Sequence, residues 1–509
     1  MPTSPTGRSP RPRRHVPPTV KRLASAGASA TLVLGLGLAP GTAHADEAVL
    51  PTLVTPDGLR EHIENLSTIA EYNGGNRATN TPGYDVAADY VTDQLKRAGY
   101  RPKRDTYDYE LWEEHSEAVL TQLAPEKREF APGEDFVTMN YSGAGDATGA
   151  GVPVDYDSTD SGCTADDFAG FPEGAIAVIM RGSCSFQAKT ANAAEAGAAG
   201  VVVANNVEGP LNGTVSEESA IPVVGATTAT GDALVAAGDS LELRLKVDAS
   251  VSERTSYNIV AETKGGARDN VVMVGAHLDS VPEGPGINDN ASGTAAILET
   301  AQQLAKLEGQ NNKVRFAFWG TEEQGLIGST KYVEGLNERR RERIALYLNF
   351  DMLGSPNFGR FIYDGRGELE GSLPPPSGSG AIQKMFEDYY EQRGLVTEPT
   401  AFSGRSDYSA FMEAGIASGG LFSGGDATKT EQQVEYYGGT AGQDFDPNYH
   451  TAQDDIDNIN WTSLDQLSDG VAHAVETYAE STLPVNGVAP RTRSAQEFRA
   501  DRVGDLWLR

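Results

Sequence analysis

The chain has 509 residues, of which 39% are hydrophobic and 22% charged. That balance allows a packed core, argues against global disorder, and at about 100–200 residues per domain predicts two to four domains. Asp and Glu number 72 against 41 Lys and Arg, a net charge of -31 that disfavours nucleic acid and anionic lipid as partners.

Residues 1–22 hold Arg8, Arg11, Arg13, Arg14, Lys21 and Arg22, and no acid precedes Asp46. An apolar stretch from Leu23 to Ala39 follows, then the small-x-small triplet Ala43-His44-Ala45. This is the pattern of a secretory signal peptide over residues 1–45. Its strongly apolar part, Thr31–Ala39, is far short of the roughly 20 residues that a membrane span needs. The mature chain is therefore expected outside the cell and off the membrane. Arg13-Arg14 suits the twin-arginine route while Pro17 and Pro18 do not, so this route and the general secretory one both stay open. Cys163 and Cys184 are the only cysteines, too few for a disulfide scaffold, a four-cysteine zinc module or an iron–sulfur protein. In an oxidising compartment a disulfide between them is expected.

Pro56-Asp57 predicts a helix start, and Leu59, Ile63, Leu66 and Ile69 recur at helical spacing until Gly74-Gly75. A second helix is predicted over about 83–98. From Phe136 to Ala249 Gly, Ala, Val and Thr dominate. Short β-branched runs at Ala175–Met180, Gly200–Ala204 and Ile221–Val224 flank a helix at Lys189–Ala199, which predicts a separate small β-rich domain. From Ser256 strands and helices alternate: strands at Asn258–Glu262, Asn270–Gly275, Lys313–Trp319, Ile344–Phe350 and Ala417–Phe422. Helices are predicted at Asn290–Leu307, Leu326–Leu336, Ala381–Gly394, Ser406–Ala414 and Trp461–Ser481. Apolar strands alternating with helices indicate an α/β fold, with a mixed, mostly parallel sheet flanked by helices. Gly371–Gly380 reads as a surface loop and Pro484–Arg509 as a polar tail.

Ligands of such sheets bind at the carboxyl ends of strands. Three predicted strand ends carry metal-binding side chains: His277 with Asp279 and then Asp289, Glu322 with Glu323, and Asp351. The loop Asp446–His450 adds another imidazole. A single Asp at a strand end is more often a cap or solvated, and a Glu pair is more often surface charge. Jointly, carboxylates and two imidazoles at corresponding strand ends suit a pair of zinc ions. Several carboxylates converging without cations would be costly.

The motifs Val274–Ser280, Gly286–Gly293, Phe318–Gly325, Asn349–Met352 and Tyr449-His450, with Leu66–Arg77 and Pro82–Tyr84, resemble the co-catalytic zinc aminopeptidases of family M28. Within that family the likeness is to the secreted Streptomyces leucine aminopeptidases. The run Arg181–Phe186 with Lys189, followed by Ala-Gly-rich Ala193–Gly200, resembles an inserted protease-associated (PA) domain. The resemblance implies a signal peptide at 1–45, a discontinuous zinc-exopeptidase-like domain at 46–130 and 250–483, a β-rich PA domain at 131–249 and a tail at 484–509. It implies a monomeric metalloaminopeptidase acting on peptide or protein N-termini, preferably with large apolar residues such as Leu.

Carried over residue by residue, Asp289 would bridge two zinc ions, His277 and Asp351 would complete one site, and Glu323 and His450 the other. Glu322 would be the general base toward a zinc-bridging water, Asp279 would fix the His277 tautomer, and Tyr449 would donate to the oxyanion. Met352, Gly404 and Phe422 would line the pocket for the first side chain, and Arg405 would steady the peptide backbone. Asp465 and Asp469, one turn apart, read as a solvated acidic pair or, by the same resemblance, as calcium ligands. The pair Asn448 and Gln453 stands where the Streptomyces enzymes carry a cysteine clamp, which predicts a looser His450 loop. Other readings are an acidic-residue carboxypeptidase, a glutaminyl cyclase, or a binding protein that keeps the fold without catalysis.

Overall fold

The computed structural model describes residues 48–207, 209–215 and 218–489. The expected signal peptide and most of the expected tail lie outside these residues. Helix α1 (Pro56–Tyr72) starts where Pro56 supplies a preset φ and Thr55 accepts a hydrogen bond from the Gly58 amide. Helix α2 (Pro82–Arg97) repeats the device with Thr81 and Pro82. Strand β1 (Lys103–Ala124) follows, then β2 (Gly145–Pro153), β3 (Ile176–Met180), α3 (Phe186–Glu195), β4 (Gly200–Ala204) and β5 (Val223–Ala226). The chain returns through β6 (Glu242–Glu262) to β7 (Ala267–His277), α4 (Gly293–Leu304), β8 (Asn312–Trp319) and β9 (Ile344–Phe350). Strands β10 (Phe361–Tyr363), β11 (Glu398–Thr400) and β12 (Ser418–Phe422) and the long helix α5 (Trp461–Glu480) complete the frame.

The strands form one ladder in the order β11-β10-β12-β9-β7-β8-β6-β2-β3-β4-β5. Its centre, β12-β9-β7-β8, is parallel. The central strands are buried on both faces, as their unbroken apolar runs require. One face packs on α1, α2, α4 and α5 through residues such as Leu66, Val91, Ile297 and Val471. The other packs Trp319, Tyr347 and Phe411, with the Tyr347 and Phe411 rings stacked 3.9 Å apart.

The β-rich insert has its own apolar clusters, yet its sheet is continuous with the rest. Strand β6 is 21 residues long. One end pairs antiparallel with β2, the other with β8, and β1 runs antiparallel along it throughout. The expected helix at Lys189–Ala199 begins three residues earlier, because Ser185 caps it through the Ala188 amide. The strand expected at Ile221–Val224 lies at Val223–Ala226. Cys163 and Cys184 are joined in a disulfide.

Candidate metal centre

Register aligns the ends of the central strands. His277 pairs with Trp319 and Gly275 with Asn349, so the residues that follow β8 and β9 converge on the last residue of β7. The helix expected to begin at Asn290 becomes regular only at Gly293, because Asp289 and Asn290 have non-helical dihedrals. Tertiary hydrogen bonds replace the helical ones there. The amides of Asn288 and Asp289 donate to the Asp454 carboxylate at 2.8 and 2.9 Å, and Asn290 Nδ2 donates to the Phe350 carbonyl at 3.0 Å. Asp289 is thereby held out of the helix and over the strand ends. Thr321, Leu326, Met352 and His450, all around the centre, have left-handed backbones with φ of 59, 62, 56 and 58°. Such strain concentrates where surrounding structure imposes a side-chain position.

The structure brings all five expected ligands together in two triads, His277–Asp289–Asp351 and Asp289–Glu323–His450. Asp289 Oδ1 lies 3.0 Å from His277 Nε2, and its Oδ2 lies 3.2 Å from His450 Nε2. His277 Nε2 is 3.2 Å from Asp351 Oδ1, and His450 Nε2 is 3.0 Å from Glu323 Oε2. Donors sharing one tetrahedral ion at bonds of roughly 2.0–2.1 Å stand about 3.3 Å apart, so the spacing fits zinc. Glu323 Oε1 is buried without a hydrogen-bond partner among the described residues, a further sign that the donor set is completed by a cation. Glu322, 8% exposed, belongs to neither triad, and its Oε2 is 4.0 Å from His277 Nε2.

The protein alone is electrostatically uncompensated here. Burial raises Glu323 to about 8, with Asp289 adding to the effect. Burial and then the neighbouring carboxylates of Asp351 and Asp407 hold Glu322 well above the usual range. Burial acts to lower both imidazoles, but the surrounding carboxylates more than offset it and take His450 to about 10 and His277 well above its ordinary value. Burial would raise Asp289, yet its two histidine partners hold it low. Bound divalent metal would resolve this conflict by supplying positive charge.

Asp279 faces both His277 and the turn after β8. Its carboxylate is 3.8 Å from His277 Nδ1, which instead bonds the Asp279 carbonyl oxygen at 3.1 Å. The carboxylate accepts from the amides of Glu322 and Glu323 at 3.2 and 3.3 Å, so it shapes the turn that aims both glutamates. In place of a cysteine clamp, the His450 loop carries a hydrogen-bond network. Asn448 donates to Asn458, and Asn458 donates to Asp446 and Asp454, while Asn288 donates to Asp446 at 2.6 Å. This network ties the loop to the backbone of Asp289.

Tyr449 stacks on His450 with ring centroids 3.8 Å apart and faces Arg405. Burial, Asp289 and Glu323 all raise its phenol, keeping the hydroxyl protonated and able to donate. Met352, Gly404, Arg405 and Phe422 all line the same cleft of 1050 Å³ as the triads. Arg405 is committed to a two-pronged pair with Asp426 at 3.1 and 3.2 Å, a partner unforeseen in the sequence. Asp465 and Asp469 stand on α5 outside both acidic–imidazole groups, with no third acidic partner in such a group among the described residues.

Sequence reasoning missed several supporting groups. Ser406 donates to Asp351 Oδ2 at 2.5 Å. Arg77, fully buried, donates to the carbonyls of Leu278, Pro285 and Gly286 and so fixes the loop between His277 and Asp289. Arg77 closes a motif already noted and Ser406 opens a predicted helix, but only their contacts reveal their use.

Comparison with known proteins agrees with this geometry. Residues 258–475 match Peptidase family M28 and residues 147–234 match the PA domain. The chain is 46% identical to an aminopeptidase of Pseudomonas aeruginosa, over 90% of this chain and 88% of that one. It is 40% identical to leucine aminopeptidase 2 of Arthroderma otae, over 82% and 84% of the two chains. The fold superposes on an aminopeptidase from Aneurinibacillus sp. strain AM-1 with a TM-score of 0.68, 30% identity and coverage of 85% and 95%. It superposes on BSAP, a zinc aminopeptidase from Bacillus subtilis, with a TM-score of 0.57, 25% identity and coverage of 84% and 97%. This chain belongs to peptidase family M28 and carries an inserted PA domain.

Proposed function

We propose that this M28 aminopeptidase is exported and removes large apolar N-terminal residues, such as Leu, from peptides with the help of two zinc ions. The observation that carries the reading is Asp289, which turns one oxygen to each of two histidines while Glu322 stands beside both triads and in neither. His277, Asp289 and Asp351 would hold one ion, and Asp289, Glu323 and His450 the other. Zinc supplies a Lewis acid that polarises a carbonyl and makes water more acidic.

The chain's own groups do the rest. Glu322 takes the proton from the attacking water and returns it to the leaving amine. Tyr449 donates a hydrogen bond to the carbonyl oxygen as negative charge grows there. The substrate ammonium rests against Glu322 and Asp351, a charge that an internal peptide bond lacks. Met352, Gly404 and Phe422 receive the first side chain. A carboxypeptidase would need free cations for the substrate carboxylate, and Arg405 is already paired with Asp426.

The test is hydrolysis of Leu-p-nitroanilide by the purified protein. Activity is expected to vanish on chelation, return with zinc, and be absent on N-acetyl-Leu-p-nitroanilide. Equal cleavage of free and acetylated substrate, or full activity in metal-free protein, would overturn the reading.

A further inference from the structure

The cleft has two unlike arms. Strands β9, β12 and β10 lie on one side of β7, and β8, β6 and β1 on the other. On the first side Tyr363 and Phe422 line the cleft, and Tyr363 stacks on Phe402 at 5.1 Å and on Phe422 at 6.4 Å. On the second side the wall comes from the turn after β8, from Trp112 of β1 and from the insert, through Tyr141 and Thr214. A further cavity of 690 Å³ lies beyond, running along the β1–β6 ribbon past Tyr109 and Thr255. The two spaces share Tyr141, Gly325 and Ile327, so Tyr141 stands at their junction.

Tyr141 is held there from several directions. Its φ is 62°, a left-handed value that a bulky residue seldom adopts. Its hydroxyl donates to the Glu110 carbonyl at 3.0 Å, and its carbonyl accepts from the Ser219 amide at 2.8 Å. Its neighbour Asn140 exchanges bonds with Gly213 and Val215 at 3.0 and 2.9 Å. The ring is thus a preset wall rather than a mobile side chain.

We propose that Tyr141 is a specificity-determining residue, the surface against which the peptide residue after the scissile bond packs. The inference rests on the aminopeptidase reading above. The aromatic arm suits the first side chain, whereas the remainder of a peptide needs a way out, and on the Tyr141 side the cleft adjoins the further cavity. The insert therefore selects the leaving side of the substrate, favouring peptides whose second residue is large and apolar. Such a residue gains contact with the ring, and glycine does not.

The experiment compares Leu-amide, which has no second residue, with Leu-Phe-Gly and Leu-Gly-Gly, in wild type, Tyr141→Gly and Tyr141→Phe. Glycine accepts the left-handed backbone, and Leu-amide turnover reports whether each variant is folded. Tyr141→Gly is expected to raise KM for Leu-Phe-Gly about five- to twentyfold, to change Leu-Gly-Gly less than threefold, and to leave Leu-amide within twofold. Tyr141→Phe is expected to match wild type on all three. With Leu-amide turnover retained, equal losses on Leu-Phe-Gly and Leu-Gly-Gly, no change on Leu-Phe-Gly, or a Tyr141→Phe defect as large as that of glycine would overturn the proposal. Wild type inert toward Leu-amide would instead defeat the aminopeptidase reading.

Discussion

Glu322 and Glu323 are adjacent, identical in residue type and have buried side chains, yet the fold separates their tasks. Glu323 points an oxygen at His450, whereas Glu322 lies outside both triads. Glu322→Gln keeps the shape and removes the basic oxygen. Turnover of Leu-p-nitroanilide is expected to fall by about 10²–10⁴, with bound zinc, measured by elemental analysis, unchanged. Loss of zinc together with activity would reassign Glu322 as a ligand. His473 shows a single residue acting on stability. It stacks on Tyr389 with ring centroids 4.3 Å apart, and burial, helped by Arg393, lowers its imidazole to about 4 from an ordinary 6.5. The fold keeps the neutral ring. Its contribution is therefore complete above about pH 6.5 and is lost as pH falls toward 4. His473→Phe preserves the stack and removes the titration. The Tm of the variant should fall less than that of wild type between pH 6.5 and 4, and parallel curves would refute the assignment.

At the scale of elements, the strands β7, β8 and β9 were legible because their apolar runs match burial on both faces. The ribbon was not. In β1, polar residues face solvent along much of both sides, so Lys103–Ala124 carries no continuous apolar signal. Its strand form is imposed by pairing with β6 over almost its full length. The start of α4 was misread for a related reason, since no local rule in Gly286–Gly293 announces that Asp454, 165 residues away, will take the Asp289 amide. Helix α3 is anchored more simply. The disulfide closes a separation of 21 residues, and Lys189 and Asn192 of the helix donate to the carbonyls of Ser161 and Gly162 beside it. Replacing both cysteines by serine should cost about 3 kcal/mol, read as a lower urea midpoint. An unchanged midpoint would mean that the two helix donors alone hold the turn.

Across the described residues, one continuous sheet carries both the metal centre and the insert. The same ribbon that links them lines the cleft and the cavity beside it. Residue types and their order along the chain were enough to indicate the α/β class, the inserted β-rich segment and a cluster of metal-binding side chains at strand ends, and the family resemblance then singled out five of these as ligands and Glu322 as the base. Strand periodicity and metal-binding chemistry are both local properties. The sequence could not determine which carboxylate oxygen meets which imidazole, that Asp279 serves the glutamate turn, that Arg405 is claimed by Asp426, or that Tyr141 reaches the cleft. Each of these depends on contacts between segments tens to hundreds of residues apart, and such contacts exist only once the strands have taken their register.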